Sequence, residues 1–259
     1  MRAPDKAQSA DLPAITADIL ARVRARAPRV HCITNAVAQA FTANMLLAAG
    51  AVPSMTIAPD EIGPFVARAD ALLVNLGTFD AERRAAVDVA ITAAGGRVPW
   101  VLDPVFIDRA PARAAYARTL VAKAPRAIRL NAAEFGALAG TQPTETALAG
   151  YALEHRTVLG LTGATDLVTD GGRHARIENG HPLMGRVTAM GCAASALVAT
   201  CLAVEPDAWL ATAAGLIALG VAGEAAAGRA RGPGTLAVEI VDALHNLDRA
   251  MLLERGRVA

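Results

Sequence analysis

The sequence predicts an α/β fold in which helices pack on both faces of a mostly parallel central sheet. Up to residue 170, short runs of strand-forming residues alternate with runs of helical periodicity. Several strand candidates are almost continuously apolar, as expected for strands that are buried on both faces of a parallel sheet. The chain has 259 residues, 54% of them apolar, and contains no evident linker or internal repeat. We therefore expect a single domain over residues 1–259.

The elements follow one another in a regular order. The strand candidates are residues 29–34 (RVHCIT), 52–57 (VPSMTI), 71–77 (ALLVNLG), 98–103 (VPWVLD), 127–131 (AIRLN), 157–162 (TVLGLT) and 166–170 (DLVTD). The Asp-Gly-Gly sequence at residues 170–172 predicts a β-hairpin. The helix candidates between the strands are residues 37–49, 80–94, 112–124 and 132–139. From residue 190 onward, three Ala- and Leu-rich helices are predicted at residues 192–204, 208–228 and 238–254.

The composition indicates which kinds of molecule the protein binds. The formal net charge is +1 and 3% of residues are aromatic, so we expect neither a nucleic-acid surface nor a base-stacking platform. The most membrane-like stretch, residues 209–223, has 15 residues. It is shorter than the roughly 20 residues that span a bilayer and predicts a buried helix. We expect a soluble protein that binds a small molecule and no membrane.

Cysteine usage favours a cytoplasmic protein. Cys32, Cys192 and Cys201 show neither a disulfide framework nor the spacing of metal ligands. Reduced thiols fit the cytoplasm best. The residues before the first predicted strand mix acidic with basic side chains and contain no uninterrupted apolar core, so we expect no signal or transit peptide.

Candidate site residues follow the predicted strands, because ligands of open α/β sheets bind beside the carboxyl ends of the strands. Polar or small residues stand at these points: Thr34-Asn35, Gly77-Thr78, Asp103-Pro104, Asn131, Thr162-Gly163 and the turn at residues 188–192. Their convergence at one edge of the sheet predicts the position of the site.

The turn at residues 188–192 (TAMGC) is the most specific of these features. Small residues lead directly into an apolar helix, whose free N–H groups and dipole suit a transferring phosphoryl group. Cys192 stands at the same helix start, where we expect its pKa to be lowered. It could accept a proton from an attacking hydroxyl, or orient that hydroxyl. The alternative, about equally favoured by the pattern, is a small, inert, buried cysteine.

Two acidic residues are candidates for holding Mg²⁺ near a phosphate chain. Asp103 ends an apolar strand, and Glu134 begins a predicted helix. The pattern alone favours structural roles for both. Asp103 would form a turn before Pro104, and Glu134 would form a capping box with Asn131.

Two further polar residues interrupt apolar strands. Arg129 needs a partner within AIRLN, and a phosphate or a structural ion pair would serve equally well. For His31 in VHCIT, the favoured interpretation is a core histidine with satisfied hydrogen bonds. The sequence contains no Walker A motif, and no G-x-G-x-x-G follows a strand. A P-loop kinase or a dinucleotide-binding fold is therefore not expected.

These segments together resemble the hydroxyethylthiazole kinase family, within the wider ribokinase-like group. The resemblance runs from about residue 30 to residue 244. The stretches that carry it are residues 30–55, 71–78 (ALLVNLGT), 99–105 (PWVLDPV), 128–134 (IRLNAAE), 161–171 (LTGATDLVTDG), 182–199 and 231–235 (RGPGT). The first stretch and the one containing Gly191-Cys192 are the most specific. The resemblance implies a three-layer ribokinase-like sandwich.

The resemblance also implies roles for individual residues. Met55 and Asn35 match substrate-side positions, and Ala189 occupies a glycine position beside the substrate. Arg129 and Thr162 match ATP-binding positions, and Asp103 and Glu134 match acids near Mg²⁺ and the phosphates. Cys192 matches the catalytic-base position, directly after Gly191 in the predicted anion-binding turn.

The implied reaction is phosphorylation of 4-methyl-5-(2-hydroxyethyl)thiazole by ATP, in thiamine biosynthesis and salvage, by a homotrimer with its thiazole site between subunits. Two loops depart from the family pattern. Relatives often read T-G-T-G-C at residues 188–192, and they usually have G-V-G-A after D-P-V, where this chain has Phe106 and residues 107–110 (IDRA). Two alternatives therefore stay open: another heterocyclic alcohol such as a hydroxymethylpyrimidine, or a non-catalytic thiazole- or nucleotide-binding protein.

Overall fold

A computed structural model describes residues 11–259, which fold around one eight-stranded sheet. The strands, in chain order, are β1 (Arg29–Ile33), β2 (Val52–Ser54), β3 (Ala71–Asn75), β4 (Trp100–Asp103), β5 (Ala127–Asn131), β6 (Val158–Thr162), β7 (Asp166–Thr169) and β8 (His174–Ile177). Their order across the sheet is β2-β1-β3-β4-β5-β6-β7-β8. The pairs from β2 to β6 are parallel, and β7 and β8 complete the sheet with antiparallel pairs.

The helices lie on both faces of the sheet. In chain order they are α1 (Leu12–Arg26), α2 (Gln39–Ala49), α3 (Pro59–Ala67), α4 (Ala81–Ala94), α5 (Pro111–Val121), α6 (Ala132–Ala139), α7 (Glu145–His155), α8 (Met190–Leu202), α9 (Ala208–Ala227), α10 (Pro233–His245) and α11 (Arg249–Arg255). Three short 3₁₀ turns occur at Ala36–Ala38, Ile107–Arg109 and Pro182–Arg186.

Alternate strand residues divide the core into two parts, because successive side chains of a strand point to opposite faces. Leu73 packs with α1, α2 and the helices from α8 onward. Leu72 and Val74 pack with helices α3 to α7 on the other face. Both faces are therefore buried, and the three-layer α/β sandwich that the sequence predicted is confirmed.

The predicted alternation of strands and helices and the hairpin between β7 and β8 are also confirmed. The strand predicted at residues 52–57 is shorter, since β2 ends at Ser54. The helix predicted at residues 238–254 is two helices, because Asp248 caps α11 by accepting a hydrogen bond from the Met251 N–H. The sequence pattern missed α1, α3 and α7.

Helix α9 is buried, as predicted for its apolar stretch. It is the one helix of the described residues that is long and apolar enough to cross a membrane, but 83% of the qualifying window is buried inside the protein. Gly215 explains how closely it packs: a Cβ there would come within 2.9 Å of the Val198 backbone in α8. The small residues of α9 thus serve close helix packing.

Adding one methyl group at two helical glycines should have opposite effects. Gly215→Ala should destabilise the fold by about 1–3 kcal/mol, because the methyl meets backbone atoms that cannot move aside cheaply. Gly150→Ala, at an exposed position of α7 with no atom within 4 Å of the new Cβ, should stabilise it, by roughly 0.5–1 kcal/mol through helix propensity. Urea unfolding measures both, and midpoints that shift in the same direction would contradict the packing account.

Candidate active site

The site lies where the parallel strands end. Strand register places Asn75 opposite Asp103 and Asn131 opposite Thr162. Helix α8 begins at Met190, and its first turns are hydrogen-bonded to two strand ends: Cys192 accepts from Asn75 at the end of β3, and Ser195 donates to Asp103 at the end of β4. The predicted convergence of polar residues at this edge is therefore present in the fold.

A buried polar cluster joins the ends of β3 and β4 to α8. Asp103 is fully buried, and its Oδ2 accepts hydrogen bonds from Asn75 Nδ2 at 2.7 Å and Ser195 Oγ at 2.8 Å. The same Asn75 amide donates to Cys192 Sγ at 3.3 Å. Asn75 Oδ1 accepts from the Gly77 N–H, which fixes the orientation of the amide. Within residues 11–259, Asp103 Oδ1 is buried without a hydrogen-bond partner.

Burial sets the protonation of this cluster. It raises the pKa of Asp103 to about 6, against the opposing effect of the nearby Arg129 charge. Burial, together with the smaller effect of the Asp103 carboxylate, raises the pKa of Cys192 to about 12. The expectation that the helix start lowers the pKa of Cys192 is wrong, because removal from water outweighs the helix dipole. Cys192 is a neutral thiol at neutral pH.

Glu134 forms the capping box that the sequence allowed. Its Oε2 accepts from the Asn131 N–H at 2.9 Å, and Asn131 Oδ1 accepts from the Glu134 N–H at 2.9 Å. Its other carboxylate oxygen accepts from the Phe106 N–H at 3.0 Å. Phe106 has a φ of 55°, in the left-handed region that a bulky residue rarely adopts. Glu134 therefore ties the loop after β4 to the start of α6.

Arg129 is held beside the start of α8. Its Nη2 donates to Thr162 Oγ1 at 2.6 Å, and its Nε is buried without a partner. Among the described residues, no ion pair involves Arg129. A Cβ on Gly191 would lie 2.7 Å from Arg129 Nη1. Gly191 therefore lets the guanidinium approach the helix N-terminus, and the structural ion pair that the sequence left open is not formed.

A cavity of about 610 Å³ opens at this point. Arg129, Asn131, Thr162, Asp166 and Gly191 are among the residues that line it. Burial raises the pKa of Asp166 to about 6, although the Gly163 N–H donates to its carboxylate. The cavity combines a cation without an ion-pair partner, a helix N-terminus and hydroxyl and amide groups, which suits an anionic ligand with polar substituents.

The predicted substrate-side residues lie apart from these hydrogen bonds. Asn35 Oδ1 accepts from Thr78 Oγ1 at 3.1 Å and from the Val37 N–H, so it fixes the turn after β1. Met55 is half-buried against the core. Ala189 precedes α8 with a φ of 70°. Met55 and Ala189 do not line the cavity. They also make no hydrogen bond to the buried polar cluster around Asp103.

Sequence reasoning missed Asn75, Ser195 and Asp166. The predicted strand continues to Gly77 and hides Asn75 within it, whereas β3 ends at Asn75. The sequence marks Asn75 only as a polar residue within an otherwise apolar run. Ser195 lies inside an apolar helix and shows its role only when the fold brings it within 2.8 Å of Asp103.

The fold is that of a class of α/β proteins described as ribokinase-like. A ribokinase-like superfamily protein from Enterococcus faecalis superposes with a TM-score of 0.67 at 14% identity, covering 90% of this chain and 95% of the other. A hydroxyethylthiazole kinase structure from Pyrococcus horikoshii superposes with a TM-score of 0.91 at 34% identity, covering 95% of this chain and 98% of the other.

Sequence comparison identifies the family. The profile described as "Hydroxyethylthiazole kinase family" matches residues 20–250. The hydroxyethylthiazole kinase of Granulibacter bethesdensis is 45% identical over 254 residues, covering 92% of each chain. The probable hydroxyethylthiazole kinase of Agrobacterium fabrum is 42% identical over 253 residues, covering 96% of this chain and 98% of the relative. The chain belongs to the hydroxyethylthiazole kinase family.

Neutralising Asp103 should stabilise the protein in a pH-dependent way. Its folded pKa of about 6 lies above the ordinary value of 3.8, so its contribution to stability falls as the pH rises from about 4 to about 6. Asp103→Asn keeps an acceptor oxygen for Asn75 and Ser195 but removes the buried charge. At pH 8 it should be more stable than the wild type, by on the order of 3 kcal/mol, with the gap closing towards pH 4.5.

Urea unfolding at pH 4.5, 6 and 8 measures this gap. Asp242→Asn, at an exposed carboxylate, is the control and should show no comparable change with pH. A gap for Asp103→Asn that stays constant over this range would show that burial of the charge does not control the stability of the site.

Proposed function

We propose that the protein transfers the γ-phosphoryl group of ATP to the hydroxyl of 4-methyl-5-(2-hydroxyethyl)thiazole, a step of thiamine biosynthesis and salvage. The substrate oxygen bonds to the γ-phosphorus, the bond from phosphorus to the β,γ-bridging oxygen breaks, and ADP leaves. The observation that carries the proposal is Arg129, which has no ion-pair partner among the described residues and lies against Gly191 at the start of α8 beside the large cavity.

The start of α8 supplies the phosphoryl site. The helical hydrogen bonds begin with the Ala193 N–H, which donates to the Ala189 carbonyl. The N–H groups before it, including that of Gly191, lie in the first turn, where a helix has no internal acceptors for them. With the helix dipole they stabilise the negative charge of a transferring phosphoryl group. Gly191 thus contributes its backbone and the space that Arg129 occupies.

Arg129 and Thr162 bind the nucleotide in this proposal. Their hydrogen bond orients the guanidinium towards the cavity, where it can make charge-assisted bonds to phosphate oxygens. Substrate binding falls to Met55, Asn35 and Ala189, the residues that match substrate-side positions of the family.

The acidic residues fit a Mg²⁺ ion that arrives with ATP. Asp103 Oδ1 is a buried oxygen without a partner, the atom best suited to the ion or to one of its waters. Both oxygens of Glu134 already accept backbone N–H groups, so it contributes through its remaining lone pairs. The described residues contain no group of three or more metal-ligating side chains. When bound, Mg²⁺ neutralises charge on the phosphates.

Cys192 orients the attacking hydroxyl by accepting its hydrogen bond at sulfur, and the proton of the hydroxyl passes late in the transfer to an oxygen of the phosphoryl group and then to solvent. A thiol with a pKa of about 12 is not ionised before the reaction. Phosphoryl transfer through a loose transition state needs little base assistance at the start, since positioning and electrostatic stabilisation supply most of the rate. The Asn75 amide, which donates to both Cys192 and Asp103, holds the thiol beside the carboxylate.

The proposal also covers the location, the partners and the assembly of the protein. The protein acts in the cytoplasm without nucleic-acid or membrane partners, and it assembles as a homotrimer. Exposed large apolar side chains, among them Val37, Leu47 and Val238, support assembly because they could be covered by a neighbouring subunit. The mass in solution tests this directly.

The decisive assay measures ADP release with ATP and Mg²⁺, in the presence and absence of the thiazole alcohol, and detects phosphorylated thiazole by mass spectrometry. Thiazole-dependent product supports the proposal. Turnover only with a hydroxymethylpyrimidine would favour the alternative substrate. ATP binding without product from either alcohol would favour a binding protein.

Removing the guanidinium should impair use of ATP selectively. Arg129→Ala should raise the KM for ATP by about 10–100-fold, because a charge-assisted bond to phosphate is lost, and should raise the KM for the thiazole alcohol much less. Arg126→Ala is the matched control, since Arg126 is exposed just before the amino end of the same strand. Equal effects of Arg129→Ala on both KM values would count against nucleotide binding by Arg129.

A carboxylate should partly replace the thiol. Cys192→Asp should keep appreciable activity, within about 100-fold of the wild type, because a carboxylate can orient the hydroxyl as the thiol does and can in addition accept its proton. Cys192→Ala, which offers no acceptor, should be less active than Cys192→Asp. Steady-state kinetics on proteins shown to be folded by circular dichroism compares them, and a folded but inactive Cys192→Asp protein would refute the role of Cys192.

A further inference from the structure

His31 lies at the point where the edge strand stops pairing. The register of β1 with β2 ends with His31 opposite Ser54, and β2 itself ends there. Pro53 has no N–H to donate, so the backbone holds this three-residue strand weakly. His31 is fully buried. Its side chain stands beside the segment that leaves the sheet, which begins with Met55.

The imidazole holds this segment on both sides of Met55. His31 Nδ1 lies 2.8 Å from Ser54 Oγ, and His31 Nε2 lies 3.0 Å from the Thr56 carbonyl oxygen. A carbonyl only accepts hydrogen bonds, so Nε2 carries the proton and Nδ1 accepts from the Ser54 hydroxyl. Burial lowers the pKa of His31 to about 4, which keeps the ring in this neutral form.

Other contacts brace the same segment from the outside. Thr56 Oγ1 donates to Glu61 Oε2 at 3.0 Å, and the Phe65 ring centroid lies 6.0 Å from that of His31. The imidazole is nevertheless the group that contacts the chain on both sides of Met55. Both its nitrogens are used on this segment, and the cluster around Asp103 does not involve it.

We propose that His31 is a positioning residue that fixes Met55 and thereby sets the affinity for the alcohol substrate. The inference rests on the proposed function, which places Met55 on the substrate side. His31 acts through Met55 and touches neither substrate nor nucleotide. A loss of its hydrogen bonds therefore weakens binding of the alcohol and leaves binding of ATP unchanged.

Two isosteric variants separate the two nitrogens of the ring. The amide nitrogen of His31→Gln can take the place of Nε2 and still donate to the Thr56 carbonyl, whereas that of His31→Asn takes the place of Nδ1 and reaches only Ser54. His31→Asn should raise the KM for the thiazole alcohol about tenfold, equivalent to one lost hydrogen bond. The KM for ATP should stay within about twofold, and His31→Gln should restore the KM for the alcohol to within about threefold of the wild type.

Hydrogen exchange gives a readout that is independent of turnover. Amide exchange over residues 52–56, which include the Val52 N–H bonded to the Pro28 carbonyl, should be about tenfold faster in His31→Asn than in the wild type, and close to wild type in His31→Gln. Ser54→Ala, which removes only the partner of Nδ1, should give a smaller increase. If His31→Asn does not fold, His31→Gln and Ser54→Ala carry the test, and Ser54→Ala should then exchange faster than His31→Gln.

Unchanged exchange in the folded variants, or equal increases in both KM values, would overturn the role of His31. Failure of the proposed function is distinguishable. If the wild type does not phosphorylate the thiazole alcohol, or if Met55→Ala leaves its KM unchanged, the substrate assignment fails. The exchange data then still decide whether His31 fixes the segment.

Discussion

The side-chain amide of Asn75 connects the elements on which the site depends. It donates to Asp103 at the end of β4 and to Cys192 in the first turn of α8, while its oxygen accepts from the Gly77 N–H. All three of its hydrogen-bonding groups are therefore used, and the amide has one orientation. The position of α8 relative to the sheet, and with it the position of the helix N-terminus beside Arg129, depends on this contact.

The site contains two charged side chains, each with a buried polar atom that lacks a hydrogen-bond partner within residues 11–259. Asp103 Oδ1 and Arg129 Nε have no hydrogen-bond partner among the described residues, and such groups cost free energy when they are removed from water. Their charges partly compensate each other at a distance, since the Arg129 charge opposes the rise in the pKa of Asp103. A ligand that brings phosphate oxygens and a cation supplies a partner to each, so this instability favours binding.

The fold was predicted from hydrophobic periodicity and from the residues at strand ends. What these patterns could not predict has physical causes. The parallel strands, β5 with Arg129 for example, were found because burial on both faces leaves continuous apolar runs. Helix α3 was missed because Pro64 interrupts its pattern. Asp103, Glu134, Arg129 and Cys192 were selected from sequence, but the contacts of Cys192 with Asn75 and of Ser195 with Asp103 join residues far apart in the chain. The high pKa of Cys192 follows from that burial, which no local pattern displays.

The two loops that depart from the family pattern keep a glycine-like backbone. Ala189 has a φ of 70° and Phe106 a φ of 55°, conformations that cost a non-glycine residue roughly 1–2 kcal/mol each. Each is held by its surroundings: the Ala189 carbonyl accepts the first helical hydrogen bond of α8, and the Phe106 N–H donates to Glu134. Both positions therefore hold a backbone conformation that glycine adopts freely, with a side chain added to it. A methyl group stands before the phosphoryl site, and an aromatic ring that is 54% exposed stands in the loop after Asp103. In the proposed function, these two side chains add volume and contacts near the alcohol and the phosphoryl group that glycine at the same positions would not provide.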